Sequence, residues 1–203
     1  MRLGLTGAHR SGKTTLAKEV SKNLDVPFIE TKVSGIFEEL GLDVKGDLSF
    51  DERLLVQDAM LIKCNKFWAA HNKFITDRTP LDFIAYMLAD ISPKTVLTKD
   101  QDNAVSKYFM HCMNSLNINF DGIVFVPMLF NIGLTEEEGK AGTSYWNRKH
   151  VDSIIRYYMV SQLVHRPVFE IEREVQDLEE RIEKVTHIYK HLDAFKHRKH
   201  LII

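Results

Sequence analysis

Residues 3–15 read LGLTGAHRSGKTT, and this stretch decides the fold that the sequence predicts. Within it, the run Gly7-Ala8-His9-Arg10-Ser11-Gly12-Lys13-Thr14 matches the pattern G-x-x-x-x-G-K-[ST] at every fixed position. The two glycines allow backbone angles that turn successive N–H groups inward around a phosphate. The lysine places a point charge on the β- and γ-phosphates, and the threonine hydroxyl can ligate Mg²⁺. The stretch therefore predicts a phosphate-binding loop for a nucleoside triphosphate.

The flanking sequence places this loop between a strand and a helix. Leu3 and Leu5 lie in a short apolar run before the loop, and apolar residues recur at helical spacing after it. The positive end of that helix dipole would point at the phosphates. We therefore expect ATP to contact the whole loop, which comprises Gly7, Ala8, His9, Arg10, Ser11, Gly12, Lys13, Thr14 and Thr15.

The composition is typical of a globular protein that does not depend on charge for its partners. The 203 residues suffice for one α/β domain, residues 1–203, and the net charge of −1 gives no overall attraction to nucleic acid. The two cysteines form no CxxC motif, and we find neither an apolar run of transmembrane length nor a signal peptide. These features predict a cytoplasmic protein. The basic end of the chain, 190–200, still offers a local patch for nucleic acid.

Strand and helix patterns alternate along the chain. After the first unit, strands are predicted at 26–31, 74–77, 123–126 and 168–171. A capping-box pattern at Ser49 and Glu52 begins a long helix to about Ala70, and Thr79 followed by Pro80 begins the next. The long helix is apolar over much of its circumference, so we expect it to be well buried. Further helices are predicted at 100–116, from about Arg148, and over 175–192.

This alternation predicts a parallel sheet with helices on both faces and a ligand site at the carboxyl ends of the strands. Glu30 and Asp77 lie at two such ends. Asp77 could hold Mg²⁺, and the neighbouring Arg78 could stabilise phosphoryl oxygens. We therefore expect Thr14 and Asp77 at the metal, and Glu30 and Arg78 at the phosphate acceptor.

Residues 128–147 are glycine-rich and show no helical stripe. A long irregular segment is often functional, so we predict a lid that excludes water from the transferring phosphate. Arg148 follows the segment and is the candidate lid arginine, with Lys140 and Lys149 as weaker candidates.

The chain resembles the P-loop kinases of small nucleotides and nucleosides. Its motifs are similar to those of thymidylate-kinase-like and deoxynucleotide monophosphate kinases, including phage-encoded ones, and of nicotinamide-riboside-kinase-like ATPases. The resemblance rests on GAHRSGKTT, FIET, TDRTP, and VFEI leading into DLEERIEKV. It implies a P-loop NTPase fold with a five-stranded parallel sheet of order 2-3-1-4-5, a nucleotide region between strands 2 and 3, and a lid after strand 4.

The same resemblance implies roles for individual residues. Lys13 and Thr14 would act on ATP and Mg²⁺, Asp77 would lie near the metal, and Arg148 would be a lid arginine. Glu30 and Arg78 would face the acceptor. Two positions depart from the families: Thr79 stands where thymidylate kinases usually have an aromatic residue or histidine, and the lid reads Tyr-Trp-Asn-Arg in place of Asp-Gly-x-Arg.

Other classes of P-loop protein fit the sequence less well. A regulatory GTPase needs an Asn-Lys-x-Asp motif after a strand, and the chain has none. A motor or AAA-type ATPase would have consecutive acids at the end of the metal-binding strand, but Arg78 follows Asp77. The favoured function is transfer of phosphate from ATP, with Mg²⁺, to a small nucleotide, above all a deoxynucleoside monophosphate.

Three alternatives stay open. The acceptor could be a modified base or a 5′ end in DNA, or it could be a nucleoside or riboside. Outside enzymes, the chain could be an ATP-dependent switch that binds a partner through its basic end. The sequence favours a small-molecule partner over nucleic acid, predicts no membrane association, and leaves a homodimer open.

Overall fold

The computed structural model describes residues 1–31, 34–43, 48–91, 95–128, 144–195 and 200–202. The strands are β1 (Arg2–Thr6), β2 (Phe28–Ile29), β3 (Phe74–Thr76), β4 (Gly122–Phe125), β5 (Val168–Glu170) and β6 (His200–Ile202). The helices are α1 (Lys13–Leu24), α2 (Ser34–Glu39), α3 (Phe50–Ala69), α4 (Pro80–Asp90), α5 (Lys99–Asn119), α6 (Tyr145–Met159) and α7 (Leu178–His191), followed by a short 3-10 helix, Leu192–Phe195.

Two predictions fall largely outside the described residues. Most of the predicted lid lies in 129–143, which includes Lys140, and the basic residues Lys196, Arg198 and Lys199 also lie outside. Tyr145–Asn147, at the end of the predicted lid, form the first turn of α6, which Ser144 caps. The sequence therefore placed the start of this helix a few residues too late.

The strands form one parallel sheet in the order β2-β3-β1-β4-β5-β6. The predicted order 2-3-1-4-5 is confirmed, together with the P-loop NTPase fold. A sixth strand, which the sequence analysis missed, pairs with β5 through Phe169 and Leu201. It was missed because only a short apolar run follows the basic residues at the end of the chain.

Side chains alternate between the two faces of the sheet, as the two-residue period of a strand requires. On one face, Leu3 and Leu5 of β1 pack with apolar residues of α1 and α7. On the other, Ile123 and Phe125 of β4 pack with residues of α3, α4, α5 and α6. The helices thus cover both faces and leave the carboxyl ends of the strands for the loops.

The helix starts follow the predicted capping pattern. The Ser49 hydroxyl accepts from Glu52 N at 3.3 Å, and Ser49 N donates to Glu52 Oε2 at 2.8 Å. Thr79 and Pro80 begin α4 as predicted. The expectation that α3 is well buried is wrong for three of its apolar residues, since Leu55, Ile62 and Phe67 are about half exposed, at 53%, 49% and 49%. Leu55 and Ile62 lie on the side of α3 opposite the buried Cys64, whereas Phe67 lies at the edge of the packed side and lines a cavity beside β2.

Candidate phosphate-binding site

The loop between β1 and α1 has the backbone conformation that its glycines were expected to supply. Gly7 has φ 154°, and a Cβ there would meet the Val126 carbonyl oxygen at 2.3 Å. Gly12 has φ 88° and caps the N-terminus of α1. Both positions therefore require glycine, the first for space and the second for its left-handed backbone.

Lys13 is buried and folded back onto this loop. Its Nζ donates to the carbonyl oxygens of Gly7 at 2.6 Å and Ala8 at 2.7 Å. Burial lowers the pKa of Lys13 to about 8, while the carboxylate of Asp82 opposes that shift. The ammonium group is thus held by neutral oxygens, which a phosphate could replace.

Thr14 and Asp77 meet although they are far apart in the sequence. The Thr14 hydroxyl donates to Asp77 Oδ2 at 2.6 Å, so the two predicted metal residues are in direct contact. Asp77 is buried, and its Oδ1 has no hydrogen-bond partner among the described residues. Carboxylate and hydroxyl oxygens are ligands that suit Mg²⁺. The unpaired buried oxygen of Asp77 is suited to ligating a divalent cation.

The remaining predicted residues at the strand ends lie beside the loop. A cavity of about 320 Å³ brings Glu30, Thr31, Asp77 and Arg78 together with the loop residues His9, Arg10, Gly12, Lys13, Thr14 and Thr15. Glu30 also forms an exposed ion pair with Lys18 at 3.9 Å, and the Arg78 guanidinium lies 5.7 Å from the ring centre of Tyr86. The cavity therefore offers both signs of charge around one space.

Arg148 differs from the other predicted residues in its position. It lies in the first turn of α6, is buried, and does not line this cavity. Its Nε has no hydrogen-bond partner among the residues that the structure describes. Its charge still reaches the loop, because it contributes to the lowered pKa of His9.

His9 shows how positive the site is. Its backbone N–H donates to the Tyr86 hydroxyl at 3.0 Å, and the two rings lie 4.7 Å apart. Burial, above all, and the charges of Arg78, Lys13, Arg10 and Arg148 together lower the pKa of His9 to about 3. The imidazole is therefore neutral in a region that favours anions.

Asp82 is a site residue that the sequence analysis missed. Its Oδ2 accepts from the Thr6 hydroxyl at 2.8 Å and from Thr79 N at 2.8 Å, and its Oδ1 accepts from Gly7 N at 3.2 Å. Burial raises the pKa of this carboxyl, and Lys13 opposes the rise. The capping box formed with Thr79 was a usable signal, since it marks Asp82 as the third residue of α4.

Two further charged residues act on the site through tertiary structure alone: Asp152 by its charge on Lys13, and Arg181 by direct contact. Asp152 of α6 accepts from Met128 N at 3.1 Å and pairs with Arg173 at 3.0 Å. Arg181 of α7 donates to the Ser11 carbonyl oxygen at 3.3 Å. Neither contact had a local sequence signal, because the partners are separated by 21 to 170 residues.

A larger cavity of about 590 Å³ adjoins the first one, because Glu30 and Thr31 line both. It lies between β2 and α3, and its wall includes Phe28, Cys64 and Trp68. Its size is within the range of small-molecule sites.

The described part of the chain gives three further results. It contains no group of three His, Cys, Asp or Glu side chains that could hold a metal ion. None of its helices combines the length and apolar character needed to span a bilayer. Cys64 and Cys112 are free and buried.

Comparison with protein families identifies one family whose model matches more than half of the chain. A family model described as AAA domain, AAA_28, matches residues 2–119. A search of curated proteins finds no match. The sequence disfavoured an AAA-type ATPase because Arg78 follows Asp77, but the lack of consecutive acids does not exclude a family of this description.

Solved structures share the fold at low sequence identity. Deoxyadenosine kinase from M. mycoides, solved with dCMP and dCDP, has 18% identity and a TM-score of 0.65, with 94% of this chain and 98% of that chain covered. Thymidylate kinase from Candida albicans has 16% identity and a TM-score of 0.55, covering 96% and 92%. NadR in complex with NAD and AMP-PNP has 13% identity and a TM-score of 0.63, covering 95% of this chain and 49% of that one. These similarities show a fold like that of nucleoside and nucleotide kinases.

Proposed function

Since the chain belongs to the AAA domain family and has a fold like that of nucleoside and nucleotide kinases, we propose that it transfers phosphate from ATP to a small nucleotide. The contact between Thr14 and Asp77, beside Lys13 in one cavity, carries this proposal. It brings a hydroxyl, an unpaired carboxylate oxygen and a buried ammonium to the place where the loop binds phosphate.

Thr14 and Asp77 are the residues that would hold Mg²⁺. When bound, the ion would neutralise charge on the phosphates of ATP. Asp77 adds the anionic ligand, and its burial means that little water competes for the unpaired oxygen. Asp77→Asn should therefore lower the Mg²⁺-dependent turnover strongly and the free energy of unfolding only slightly.

Lys13 and Arg78 would stabilise the transferring phosphoryl group. Phosphoryl transfer depends mainly on positioning and on charge stabilisation, which these two cations supply from the loop and from the end of β3. Lys13 would exchange its two carbonyl partners for phosphate oxygens. Arg78 offers a planar fork that can bind two oxygens at once, so Arg78→Lys should remain impaired.

The charges of the site favour an acceptor that itself carries a phosphate. Arg10, Lys13, Arg78 and Arg148 all act electrostatically on His9, which is more positive charge than the loop lysine alone supplies. A monophosphate acceptor would neutralise part of this charge. We therefore favour a deoxynucleoside monophosphate, with Glu30 accepting hydrogen bonds from its sugar or base.

The cavity between β2 and α3 supports a small acceptor over a DNA end. It meets the 320 Å³ cavity beside the loop, here called the phosphate cavity, at Glu30 and Thr31. One molecule could therefore place a base in the larger cavity and a phosphate in the phosphate cavity. Its apolar wall, which includes Phe28 and Trp68, suits an aromatic ring.

A deoxynucleoside is the second candidate acceptor. It is favoured by the similarity to deoxyadenosine kinase, which covers nearly all of both chains. In that case Glu30 would accept a proton from the sugar hydroxyl, whereas a monophosphate acceptor would need no such base. A riboside, a DNA acceptor and a partner-binding switch are weaker, and the basic residues on which the last two depend lie mostly outside the described residues.

Phosphate transfer from labelled ATP tests the proposal directly. The acceptors are the deoxynucleoside monophosphates, the deoxynucleosides, nicotinamide riboside, and oligonucleotides with plain or modified bases, at low and moderate salt. Lys13→Ala should lower turnover by on the order of a hundredfold or more. Lys22→Ala is the matched control, because Lys22 lies on the same helix with its side chain 80% exposed.

The results separate the candidates. Labelled mononucleotide products that are lost in Lys13→Ala and kept in Lys22→Ala support the proposal. Near-normal turnover in Lys13→Ala would contradict it. Label on oligonucleotides alone, with a steep dependence on salt, would assign the function to nucleic-acid modification.

A further inference from the structure

Arg181 is a buried arginine that joins the last helix to the phosphate-binding loop. Its side chain is 5% exposed, and its Nε donates to the Val175 carbonyl oxygen at 2.8 Å. Its Nη1 donates to the Ser11 carbonyl oxygen at 3.3 Å, and the same nitrogen lies 3.9 Å from the position of a Cβ on Gly12. The guanidinium of Arg181 therefore contacts the phosphate-binding loop at Ser11 and Gly12.

The charge of Arg181 has no carboxylate partner among the residues that the structure describes. Its Nη2 is buried and lacks a hydrogen-bond acceptor there. Two other arginines near the strand ends differ, since Arg156 pairs with Glu170 and Arg173 with Asp152. A buried cation is costly unless an anion lies close to it. The anion that this loop binds is phosphate.

The geometry of the peptide bond links Arg181 to the backbone N–H of Gly12. The carbonyl of Ser11 and the N–H of Gly12 belong to one peptide group, which is planar and trans, so they point in opposite directions. Because Arg181 holds the carbonyl, the Gly12 N–H must point away from Arg181. Gly12 lines the phosphate cavity. A cation bonded to the carbonyl also polarises the peptide and makes its N–H a stronger donor.

We propose that Arg181 is a positioning residue for the phosphates of the bound triphosphate: through the Ser11 carbonyl it orients and polarises the Gly12 N–H, and its unpaired charge attracts the phosphates. The proposal rests on the proposed binding of ATP at this loop. It concerns the phosphates, and it predicts no effect on the acceptor, the base or the sugar.

Displacement of a fluorescent ATP analogue, with Mg²⁺ present, measures the effect. The competitors are ATP and inorganic tripolyphosphate, which has phosphates but neither base nor sugar. Arg181→Met should weaken both by about tenfold or more, since a hydrogen bond involving a charged group is lost. Arg181→Lys should lose less, because an ammonium keeps the charge but cannot reach both carbonyls. Lys184→Met is the control, since Lys184 lies on the same helix and pairs with Glu180.

Steady-state kinetics distinguish a positioning role of Arg181 from a purely structural one. We expect the KM for ATP to rise while the KM for the acceptor stays constant. Unchanged tripolyphosphate affinity in Arg181→Met would overturn the proposal, as would equal rises in both KM values. If Arg181→Met fails to fold, Arg181→Lys decides by the same comparison. Wild-type protein that binds neither competitor would instead refute the proposed function.

Discussion

At the scale of single residues, the site depends on buried polar groups, one of which is only partly satisfied. Asp77 uses one carboxylate oxygen on Thr14 and leaves the other without a described partner. Lys13 is bonded to two carbonyl oxygens and not to a carboxylate in the hydrogen bonds that the structure shows. An unsatisfied buried group is costly to a fold. The unpaired oxygen of Asp77 is therefore the group at this site that a bound cation would complete.

His9 gives a prediction about pH. Its folded pKa of about 3 lies below the ordinary value of 6.5, so the unfolded chain binds a proton that the folded chain refuses. The free energy of unfolding must therefore fall as pH drops from about 6.5 toward 3. His9→Gln removes this term, and between pH 7 and pH 5 it should lose about 1–2 kcal/mol less than the wild type. Chemical denaturation at each pH measures the difference.

His150→Gln provides the control for this prediction, because His150 is exposed on α6. It should follow the wild-type curve. Carboxylates that titrate in the same range affect every variant alike and cancel in the comparison. Parallel curves for wild type and His9→Gln would show that His9 is not held neutral by its surroundings.

At the scale of elements, the first turn of α4 also holds the phosphate-binding loop. Asp82 completes the capping box of Thr79 and accepts from both Thr6 and Gly7. One carboxylate thus connects the end of β1, the start of the loop and the start of α4. The position of Gly7 is therefore coupled to how well α4 is capped.

Asp82→Asn should damage both the fold and the loop. The amide has one oxygen in place of two, so one N–H or O–H donor would face an NH₂ group. We expect a loss of about 1–3 kcal/mol in the free energy of unfolding and a raised KM for ATP. Denaturation and steady-state kinetics measure the two effects. Asp90→Asn, at the other end of α4, should leave the KM for ATP unchanged, and an equal rise there would contradict this account.

At the scale of the whole molecule, the site is formed where the loops after three neighbouring strands, β2, β3 and β1, meet. The phosphate cavity takes residues that follow β1, β2 and β3, and the larger cavity extends from it between β2 and α3. The two faces of the sheet have separate apolar clusters, which fix the strands relative to each other. The packed core therefore holds the two cavities in fixed positions relative to each other.

Tryptophan fluorescence tests the role of the larger cavity without any chemistry. The chain has two tryptophans: Trp68 lines the cavity, and Trp146 is 77% exposed. In Trp146→Phe, only Trp68 reports, and adding an acceptor mononucleotide without ATP should change its emission. The response should survive in the Trp146→Phe, Lys13→Ala double variant. An unchanged emission at concentrations that support phosphate transfer would place the acceptor elsewhere.

Local patterns were enough for the parts of the fold that short segments determine. The capping box at Ser49 and the helix start at Thr79 and Pro80 were confirmed, because each of these signals is complete within four residues. The sheet order was confirmed through the family resemblance and not through any single strand. The exposure of Ile62 and Phe67 was mispredicted, since composition does not show which side of a helix lacks a partner.

The phosphate-binding loop could be predicted from the sequence alone, since its glycines, lysine and threonine lie within eight residues, 7–14, and their chemistry is local. The sequence also proposed Glu30, Asp77 and Arg78, because strand ends in a parallel sheet meet at one edge. Only the tertiary structure decided that Thr14 touches Asp77, that Asp82 holds Gly7, and that Arg181 reaches Ser11. These contacts join residues 63 to 170 positions apart. Such contacts depend on how the helices pack on the sheet, which no local pattern encodes.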